Sequence, residues 1–354
     1  MVTDVINLGS GSKGNAYFLN IKRKLDYGFA QLDSNNNGND LGETFGLLIE
    51  CGLPFDILSK RLREQSKGKF TMVDVKAVLV THRHGDHSLA VKELLDMGKV
   101  VYAPISVFEN AGVDVNSTNY KGYAIPVNEM VKKYIAPKIS ITPFPLEHDE
   151  KKNMLHTKKE LVTRDEEYNE DDYLKVFGYI ISIANTYNIL FFIDTMFMPF
   201  NLNKTGIKFN MIFGEANHFH NITYMAYQNA LQARDSLIRE YYGLLEEVKG
   251  DLRAEIITQT EFEEKKRKAY SNIKRYERII YSHMSVETFV KTLNGIDLSQ
   301  CERIFAMHTS SSDRVQGDEI KYYQYIKSKI KPFHHQDLKI LVCKEQGNFA
   351  TGGL

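Results

Sequence analysis

Residues 81–87, with the sequence THRHGDH, place three histidines and one aspartate at the spacing H-x-H-x-D-H. The segment follows an apolar run typical of a buried strand, and alternate side chains after such a strand point to the same side. Imidazole and carboxylate groups suit Zn, Mn, Fe or Co, and ligands at this spacing can hold two ions within about 4 Å. We therefore predict a dinuclear metal centre that includes His82, His84, Asp86 and His87, with a solvated histidine loop as the alternative.

Further ligands must come from other parts of the chain, because a dinuclear centre takes about three protein ligands per ion together with a shared oxygen. Three residues with suitable side chains each follow an apolar, strand-like run. They are His148, Asp194 and His308. A single histidine at a strand end is more often structural, but the nearby cluster makes all three candidate ligands.

The elements that position these ligands are short apolar runs at residues 75–80, 138–142, 188–193 and 303–307. Each run has the length and apolar character of a strand that packs on the inner face of a sheet. Helical stretches such as residues 90–97 lie between them. The pattern predicts a mixed α/β class in which four strands deliver metal ligands at their carboxyl ends.

Composition limits the function classes further. The 354 residues are 43% hydrophobic and 25% charged, which is typical of a globular protein and excludes a fibrous or disordered chain. Forty-five Lys and Arg balance 45 Asp and Glu, which argues against a globally basic nucleic-acid binder but leaves room for a local basic groove. Because the sequence has no membrane-length apolar run, no signal-peptide pattern and no C-x-x-C pair among Cys51, Cys301 and Cys343, we expect a cytoplasmic protein without membrane association.

Three segments have the character of insertions. Residues 22–43 contain the turn-forming sequence NNNGND and are predicted to form a hairpin insertion. Residues 151–175 are dense in charge, which favours a solvated surface loop over a substrate lid.

The third insertion, residues 224–280, has apolar residues at helical spacing and predicts two amphipathic helices. The bend between them is expected at Gly250 or at residues 258–260. Their apolar stripes must be covered by each other, by the core or by another subunit, and we expect a C2 homodimer.

Several motifs in the chain resemble those of the metallo-β-lactamase superfamily and, within it, of the WalJ/YycJ-type hydrolases, which are 5′-exonuclease-like enzymes. The motifs occur in the same order and cover most of the chain outside the three insertions. They are LGSGSKGN at residues 8–15, LIECG at 48–52, THRHGDH at 81–87, HD at 148–149, DT at 194–195, EANH at 215–218, SHMS at 282–285 and MHTS at 307–310.

The resemblance implies a four-layer αββα sandwich, a single domain over residues 1–354, with the metals at one edge of the two sheets. It assigns His82, His84 and His148 to one ion, Asp86, His87 and His308 to the other, and Asp194 to both. Two divalent transition-metal ions are expected, zinc first and manganese as the alternative. Two positions depart from the family pattern: Glu50 stands where aspartate is usual, and Met196 stands where glycine is frequent, which could narrow the pocket.

Two cations that share a water would lower its pKa and stabilise an in-line phosphoryl displacement, with Asp86 and Asp194 orienting the attacking oxygen. His283 is the candidate acid for the leaving group, with His218 behind it. The glycine-rich segment at residues 9–15 could bind phosphate, although a tight hairpin turn explains it equally well. The predicted substrate-binding residues are Ser10, Ser12, Asn15 and Asn217.

Three functions remain open from the sequence. The first is a phosphodiesterase that acts on DNA or RNA in an exonuclease-like manner, as the resemblance implies. The second is a phosphodiesterase for a small cyclic nucleotide, which zero net charge and Met196 favour. The third is a metal-bearing interaction module that uses its helical arm, which the complete ligand set argues against. β-Lactam or thioester hydrolysis has no supporting feature in the sequence.

Overall fold

The computed structural model describes residues 1–23, 43–148, 175–198, 202–249, 251–308, 319–331, 338–345 and 347–350. The predicted hairpin and the predicted charged loop therefore lie outside the described residues, except for the ends of the two segments.

Two sheets form the centre of the fold, and in each sheet the strands neighbour one another in chain order. The first sheet has six strands: β1 (Val2–Gly9), β2 (Ala16–Arg23), β3 (Glu43–Ile49), β4 (Val75–Leu79), β5 (Val100–Ala103) and β6 (Ala124–Pro126). Strands β1 to β3 are antiparallel, and β3 to β6 are parallel.

The second sheet has eight strands: β7 (Lys133–Ala136), β8 (Ile139–Leu146), β9 (Val176–Ile183), β10 (Tyr187–Phe192), β11 (Met211–Glu215), β12 (Arg303–Met307), β13 (Lys339–Cys343) and β14 (Phe349–Ala350). Strands β10 to β13 are parallel and the outer pairs are antiparallel. Parallel strands bring their carboxyl ends to the same edge of the sheet, and this edge holds most of the predicted ligands.

Strand β8 extends further than the sequence indicates, through Pro143 and Pro145 to Leu146. Proline is tolerated here because β7 pairs only with the first part of β8, whereas residues 142–146 pair with β9 alone. The longer strand carries the chain directly to His148.

The main core lies between the two sheets, and the alternation of side chains along each strand builds it. On β10, Ile189 and Phe191 point into this core, whereas Leu190 points to the outer face. On β2, Tyr17 and Phe18 divide in the same way. Apolar residues on both faces of the strands require a further layer outside each sheet.

Helices provide those outer layers. Apolar side chains of α1 (Phe55–Gln65), α3 (Val91–Asp96) and α4 (Ile105–Asn110) cover the first sheet, next to the short α2 (Gly85–Ser88). The outer face of the second sheet is covered by helices from later in the chain, which include Val286–Asn294 and Glu319–Lys329. The predicted four-layer αββα sandwich is confirmed.

Two long helices, α5 (His220–Glu247) and α6 (Leu252–Ser282), form an antiparallel hairpin; α7 (Val286–Asn294) and α8 (Glu319–Lys329) follow. At 1.5 Å per residue the hairpin helices are about 42 and 46 Å long. The Tyr241 ring stacks on Phe262 with centroids 3.9 Å apart, and the Tyr227 hydroxyl donates to Glu277 at 2.9 Å. The bend lies between Glu247 and Leu252. The alternative prediction of a bend at residues 258–260 is wrong, because these residues lie inside α6. Among the helices of the described ranges, none has an apolar stretch long enough to cross a bilayer.

Candidate metal centre

The predicted ligands converge at one edge of the sandwich because each follows, or ends, a strand. His82 follows β4, His148 follows β8, Asp194 follows β10 and His308 follows β12. Asp194 and His308 both have left-handed backbone conformations, with φ of 50° and 53°. This conformation is uncommon outside glycine and costs free energy, which is typical of functional positions.

Three histidines and an aspartate form the first group of ligand atoms, all within 4.8 Å of one another: His82, His84, His148 and Asp194. His82 Nε2 and His148 Nε2 lie 3.5 and 3.4 Å from Asp194 Oδ2. His84 is exposed, whereas the other three side chains are buried. The group therefore opens to solvent on the side of His84.

A second group consists of Asp86, His87 and Asp194. His87 Nε2 lies 3.2 Å from Asp194 Oδ2 and 3.5 Å from Asp86 Oδ2. His308 approaches from the other side, with Nδ1 2.5 Å from Asp194 Oδ1. Asp194 thus belongs to both groups, which is the position that the sequence motifs assign to it.

The buried polar atoms of these groups fit divalent cations. Within the described ranges, His308 Nδ1 and Asp194 Oδ1 are buried and close together, but they lack hydrogen-bond alignment, and His87 Nδ1 also has no hydrogen-bond partner. Buried polar atoms without hydrogen bonds cost free energy. Coordination of a metal by these imidazoles and the carboxylate that they share would satisfy the unpaired atoms and remove this free-energy cost. Imidazole and carboxylate donors suit zinc or manganese.

Contacts outside the cluster orient the ligand rings. His148 Nδ1 donates to the backbone carbonyl of Ser282 at 2.8 Å, and His82 Nδ1 hydrogen-bonds Thr81 Oγ1 at 2.9 Å. In each ring the hydrogen bond occupies Nδ1, and Nε2 faces Asp194. This arrangement is usual for histidines that bind a metal. Because Ser282 is the last residue of α6, the helical hairpin contributes directly to the position of His148.

Electrostatics favour the metal-binding protonation state for part of the ligand set. Burial lowers the pKa of His148 to about 4, and burial with the nearby His87 lowers the pKa of His82 well below its usual value. Burial alone would raise the pKa of Asp194, but His308, His87 and His148 outweigh it and hold that pKa well below its usual range. His82 and His148 are therefore neutral, which is the form that binds a cation. Burial would lower the pKa of His87 and of His308, but the facing carboxylates, Asp194 foremost, outweigh it and raise both, so these two rings lose a proton when a metal binds.

Glu50, which departs from the usual aspartate, is fully buried with φ of 62°. Its carboxylate accepts from the Thr81 backbone N–H at 3.3 Å and lies 3.6 Å from His87 Nδ1. Burial raises the pKa of this carboxyl. Glu50 therefore braces the backbone before His82 and faces the ring of His87 on the side away from Asp194.

Glu215, at the end of β11, belongs to the EANH motif but was not among the predicted site residues. Its Oε1 accepts from His283 Nδ1 at 2.7 Å, and its Oε2 accepts from the Thr195 N–H at 2.7 Å. The ligand atoms of Asp194, Glu215, His283 and His308 also lie within 4.8 Å of one another. The signal in the sequence was an apolar run that ends in a carboxylate, as for the four strands described above.

His218 and His283, the two predicted acids, occupy different environments. His283 is paired with Glu215 and its Nδ1 lies 3.8 Å from Asp194 Oδ1. Both ring nitrogens of His218 are buried and have no hydrogen-bond partner among the described residues. Burial, with His283 and His220 nearby, lowers the pKa of His218 to about 3, so its ring is neutral.

Of the four residues predicted to bind substrate, only Ser12 is exposed. Ser10 Oγ accepts from the His308 backbone N–H at 2.8 Å. The Asn15 amide nitrogen lies 3.1 Å from His87 Nε2. Asn217 Nδ2 donates to the His308 carbonyl at 2.8 Å. The three buried side chains thus tie the glycine-rich turn and the end of β11 to the candidate ligands His87 and His308.

Gly52 allows the ligand segment to approach β3. A Cβ at this position would overlap the backbone carbonyl of Asp86, whereas a Cβ at Gly85 would meet nothing within 4 Å. We expect Gly52→Ala to lower the free energy of unfolding by about 1–3 kcal/mol, as overpacking does, and to reduce metal content. Gly85→Ala is the matched control and should change stability little. Chemical denaturation and elemental analysis measure both effects, and wild-type behaviour of Gly52→Ala would contradict the close approach.

The comparisons with known proteins agree with this fold. A family model described as a beta-lactamase superfamily domain matches residues 47–238. The structure is similar to a long-form RNase Z from yeast, with TM-score 0.50 and 11% identity over 98% of this chain and 41% of that one. It is similar to Zn²⁺-bound PqqB from Methylobacterium extorquens, with TM-score 0.50 and 11% identity over 99% and 98% of the chains. Human tRNase Z, short form, gives a TM-score of 0.45 at 11% identity over 89% and 95%.

The chain covers less than half of the yeast RNase Z, 41% of its length. No curated protein sequence matches the chain significantly. At these identities the structural similarity establishes a common fold, and fold does not fix function. The specific activity has to be argued from the site.

Proposed function

The chain belongs to the beta-lactamase superfamily, and from its metal centre we propose that it is a dinuclear metal-dependent phosphodiesterase that acts on the ends of DNA or RNA. The family match extends over residues 47–238, which include the cluster at residues 81–87, His148 and Asp194. Two cations bound there would supply Lewis-acid stabilisation of charge on a phosphoryl group. As part of the same proposal, the protein is a WalJ/YycJ-type hydrolase, and its two ions are zinc, with manganese as the alternative.

The observation that carries the proposal is the Glu215–His283 pair beside the ligand groups. A carboxylate can only accept, so the 2.7 Å contact places a proton on His283 Nδ1 and leaves Nε2 available for proton exchange. A phosphodiester with an alkoxide leaving group needs a proton at the leaving oxygen, and an imidazole fixed in this way can donate it. Glu215 is a positioning residue. One of its oxygens accepts from Thr195 N–H and the other from His283, so the orientation of the carboxylate is fixed.

The other residues have distinct proposed roles. Asp86 is partly exposed, and the neighbouring His87 helps to keep its pKa below the usual value although burial opposes this, so its carboxylate can accept a hydrogen bond from the attacking water. Ser12 is exposed on the glycine-rich turn that also holds Asn15, and its proposed role is to contact a phosphate. Yeast RNase Z is named as a ribonuclease, which makes RNA the first substrate to test.

The test is a substrate panel under zinc and under manganese, with 5′-labelled single- and double-stranded DNA, RNA, and cyclic mono- and dinucleotides. We expect about two ions per chain by elemental analysis and shortening of an oligonucleotide from one end. Its Michaelis constant should rise steeply between roughly 50 and 200 mM salt, because binding to several phosphates releases counterions. A flat salt curve together with efficient turnover of a cyclic nucleotide would show that the nuclease proposal is wrong.

A further inference from the structure

The α5–α6 hairpin is divided into two halves of opposite charge. Residues 240–264, which we call the acidic tip, carry eight Asp and Glu against two Lys and Arg. Residues 265–282, which we call the basic shaft, carry seven Lys and Arg against one Glu. The remainder of α5, residues 220–239, carries two arginines and one aspartate. The neutral total charge of the chain conceals this separation.

Much of this charge is exposed and unpaired. In the described part of the chain, no ion pair involves the exposed Lys265, Arg267, Lys274, Arg275 and Arg278 of the shaft. The same holds for Glu240, Glu247 and Glu261 of the tip, whereas Lys266 and Lys268 pair with Glu263 and Glu264 where the two halves meet. Like charges gathered in this way repel one another, and a partner of opposite charge would relieve the repulsion.

Exposed aromatic side chains accompany the charge. Tyr242 in the tip is 63% exposed and Tyr270 in the shaft is 40% exposed. Contacts between the two helices show which residues lie side by side: Tyr241 lies beside Phe262, and Tyr227 lies beside Glu277. The two residue numbers of such a pair add up to about 504, so the position of any α6 residue along the hairpin can be given by the α5 residue beside it. By this pairing, the acidic tip meets the basic shaft beside Ile238. Measured along the hairpin axis, Tyr242 lies roughly 6 Å from Ile238 toward the tip, and Tyr270 lies roughly 6 Å from it in the opposite direction.

We propose that the hairpin is a self-complementary docking surface on which a second copy of this chain binds antiparallel, with the acidic tip of each copy on the basic shaft of the other. A two-fold axis near the level of Ile238 and Lys266 would bring Glu247 of one copy to the level of Arg275 of the second copy. The same axis would bring Tyr242 of one copy to the level of Tyr270 of the other. A C2 interface is isologous, so each complementary contact occurs twice.

The size of the surface is sufficient. The overlap is about 35 Å long, and two helices of about 10 Å diameter make it about 20 Å wide. This gives on the order of 700 Å² per copy, close to the roughly 800 Å² per partner of a standard stable interface.

A second copy accounts for both halves of the hairpin. A nucleic acid would be attracted to the shaft but repelled by the tip, and it would leave the exposed Tyr242 and Leu244 at the tip without a partner. A folded copy of the same hairpin offers complementary charge and an aromatic surface at both ends, which is why we favour it over a polyanion.

Charge-swap variants test the proposal. The shaft variant carries Lys274→Glu, Arg275→Glu and Arg278→Glu, and the tip variant carries Glu240→Lys, Glu247→Lys and Glu261→Lys. All six positions are exposed helix sites, and glutamate, lysine and arginine have similar helix propensity, so the helices should remain. The matched control reverses three exposed lysines outside the hairpin: Lys121→Glu, Lys204→Glu and Lys331→Glu.

Sedimentation at micromolar concentration and low salt should give a dimer for the wild-type chain and for the control. Each hairpin variant should dissociate at least about 100-fold more readily, because the altered half has no net charge and no longer attracts the charged half of the other copy. An equimolar mixture of the two variants should restore the dimer, since the unchanged acidic tip of one variant can then bind the unchanged basic shaft of the other. A monomeric wild type, a dimer that tolerates both variants, or loss of oligonucleotide binding in the shaft variant with an unchanged dimer would overturn the proposal.

Discussion

The Asp194→Asn protein is expected to lose most of its bound metal and at least about a thousandfold in kcat/KM. Asp194 contacts His82, His87, His148 and His308 at 2.5 to 3.5 Å and belongs to every group of candidate ligands in the described ranges. The amide preserves the shape of the side chain but removes the charge. Metal ions stabilise transition-state charge by several kcal/mol, and each 1.36 kcal/mol is a factor of ten in rate.

The measurement combines elemental analysis, far-UV circular dichroism and single-substrate kinetics. Asp96→Asn is the matched control, because Asp96 is exposed and its pair with Lys92 contributes little to stability. The control should retain metal and activity. An Asp194→Asn protein that keeps about two ions and a normal rate would sink the assignment of this edge of the sandwich as the metal centre.

The second large effect is expected at His283. Replacing it with alanine should slow the cleavage of a phosphodiester with an alkoxide leaving group by about 10²–10⁴-fold, the usual contribution of a general acid. The loss should be small for bis(p-nitrophenyl) phosphate, because p-nitrophenolate departs as a stable anion and needs no proton. Glu215→Gln should have a smaller effect on the alkoxide substrate, about 10–100-fold, as is typical of residues that orient another side chain.

Both substrates are needed because His283 also lies within ligand distance of Asp194 and His308. An equal loss of rate on the two substrates, together with a fall in metal content, would assign His283 to metal binding and not to proton transfer. His220→Ala serves as the control, since His220 is exposed at the start of α5 near His218 and makes no contact with the ligand groups among the described contacts. It should leave both rates unchanged.

The helical hairpin connects these effects to the rest of the molecule. It leaves the sandwich after His218 and returns at Ser282, whose carbonyl orients His148. Any change at the base of the hairpin can therefore reach a candidate metal ligand, His148, through one hydrogen bond. For this reason the substitutions that test the docking surface begin at Arg278 and extend away from the site.

Much of the site was predictable from the sequence, because it depends on local chemistry. Ligand-type residues directly after apolar runs are visible in one dimension, and a strand that ends at an aspartate or histidine presents that side chain at the sheet edge whatever the remaining fold. His82, His148, Asp194 and His308 were predicted in this way, and the structure brings their side chains together. The αββα layers were expected from the family resemblance, and alternating side chains on β2 and β10 build them.

The tertiary structure decided what depends on residues distant in sequence. Glu215 becomes the partner of His283 only because a helical excursion of more than sixty residues returns the chain beside β11, and no local pattern encodes that distance. The same holds for Ser10, Asn15 and Asn217, since burial turned candidate substrate contacts into braces for His308 and His87. The sequence by itself determined which groups could bind a metal, because side-chain chemistry is local; only the packing of the sheets and the hairpin decided which of them face one another, because that depends on the path of the whole chain.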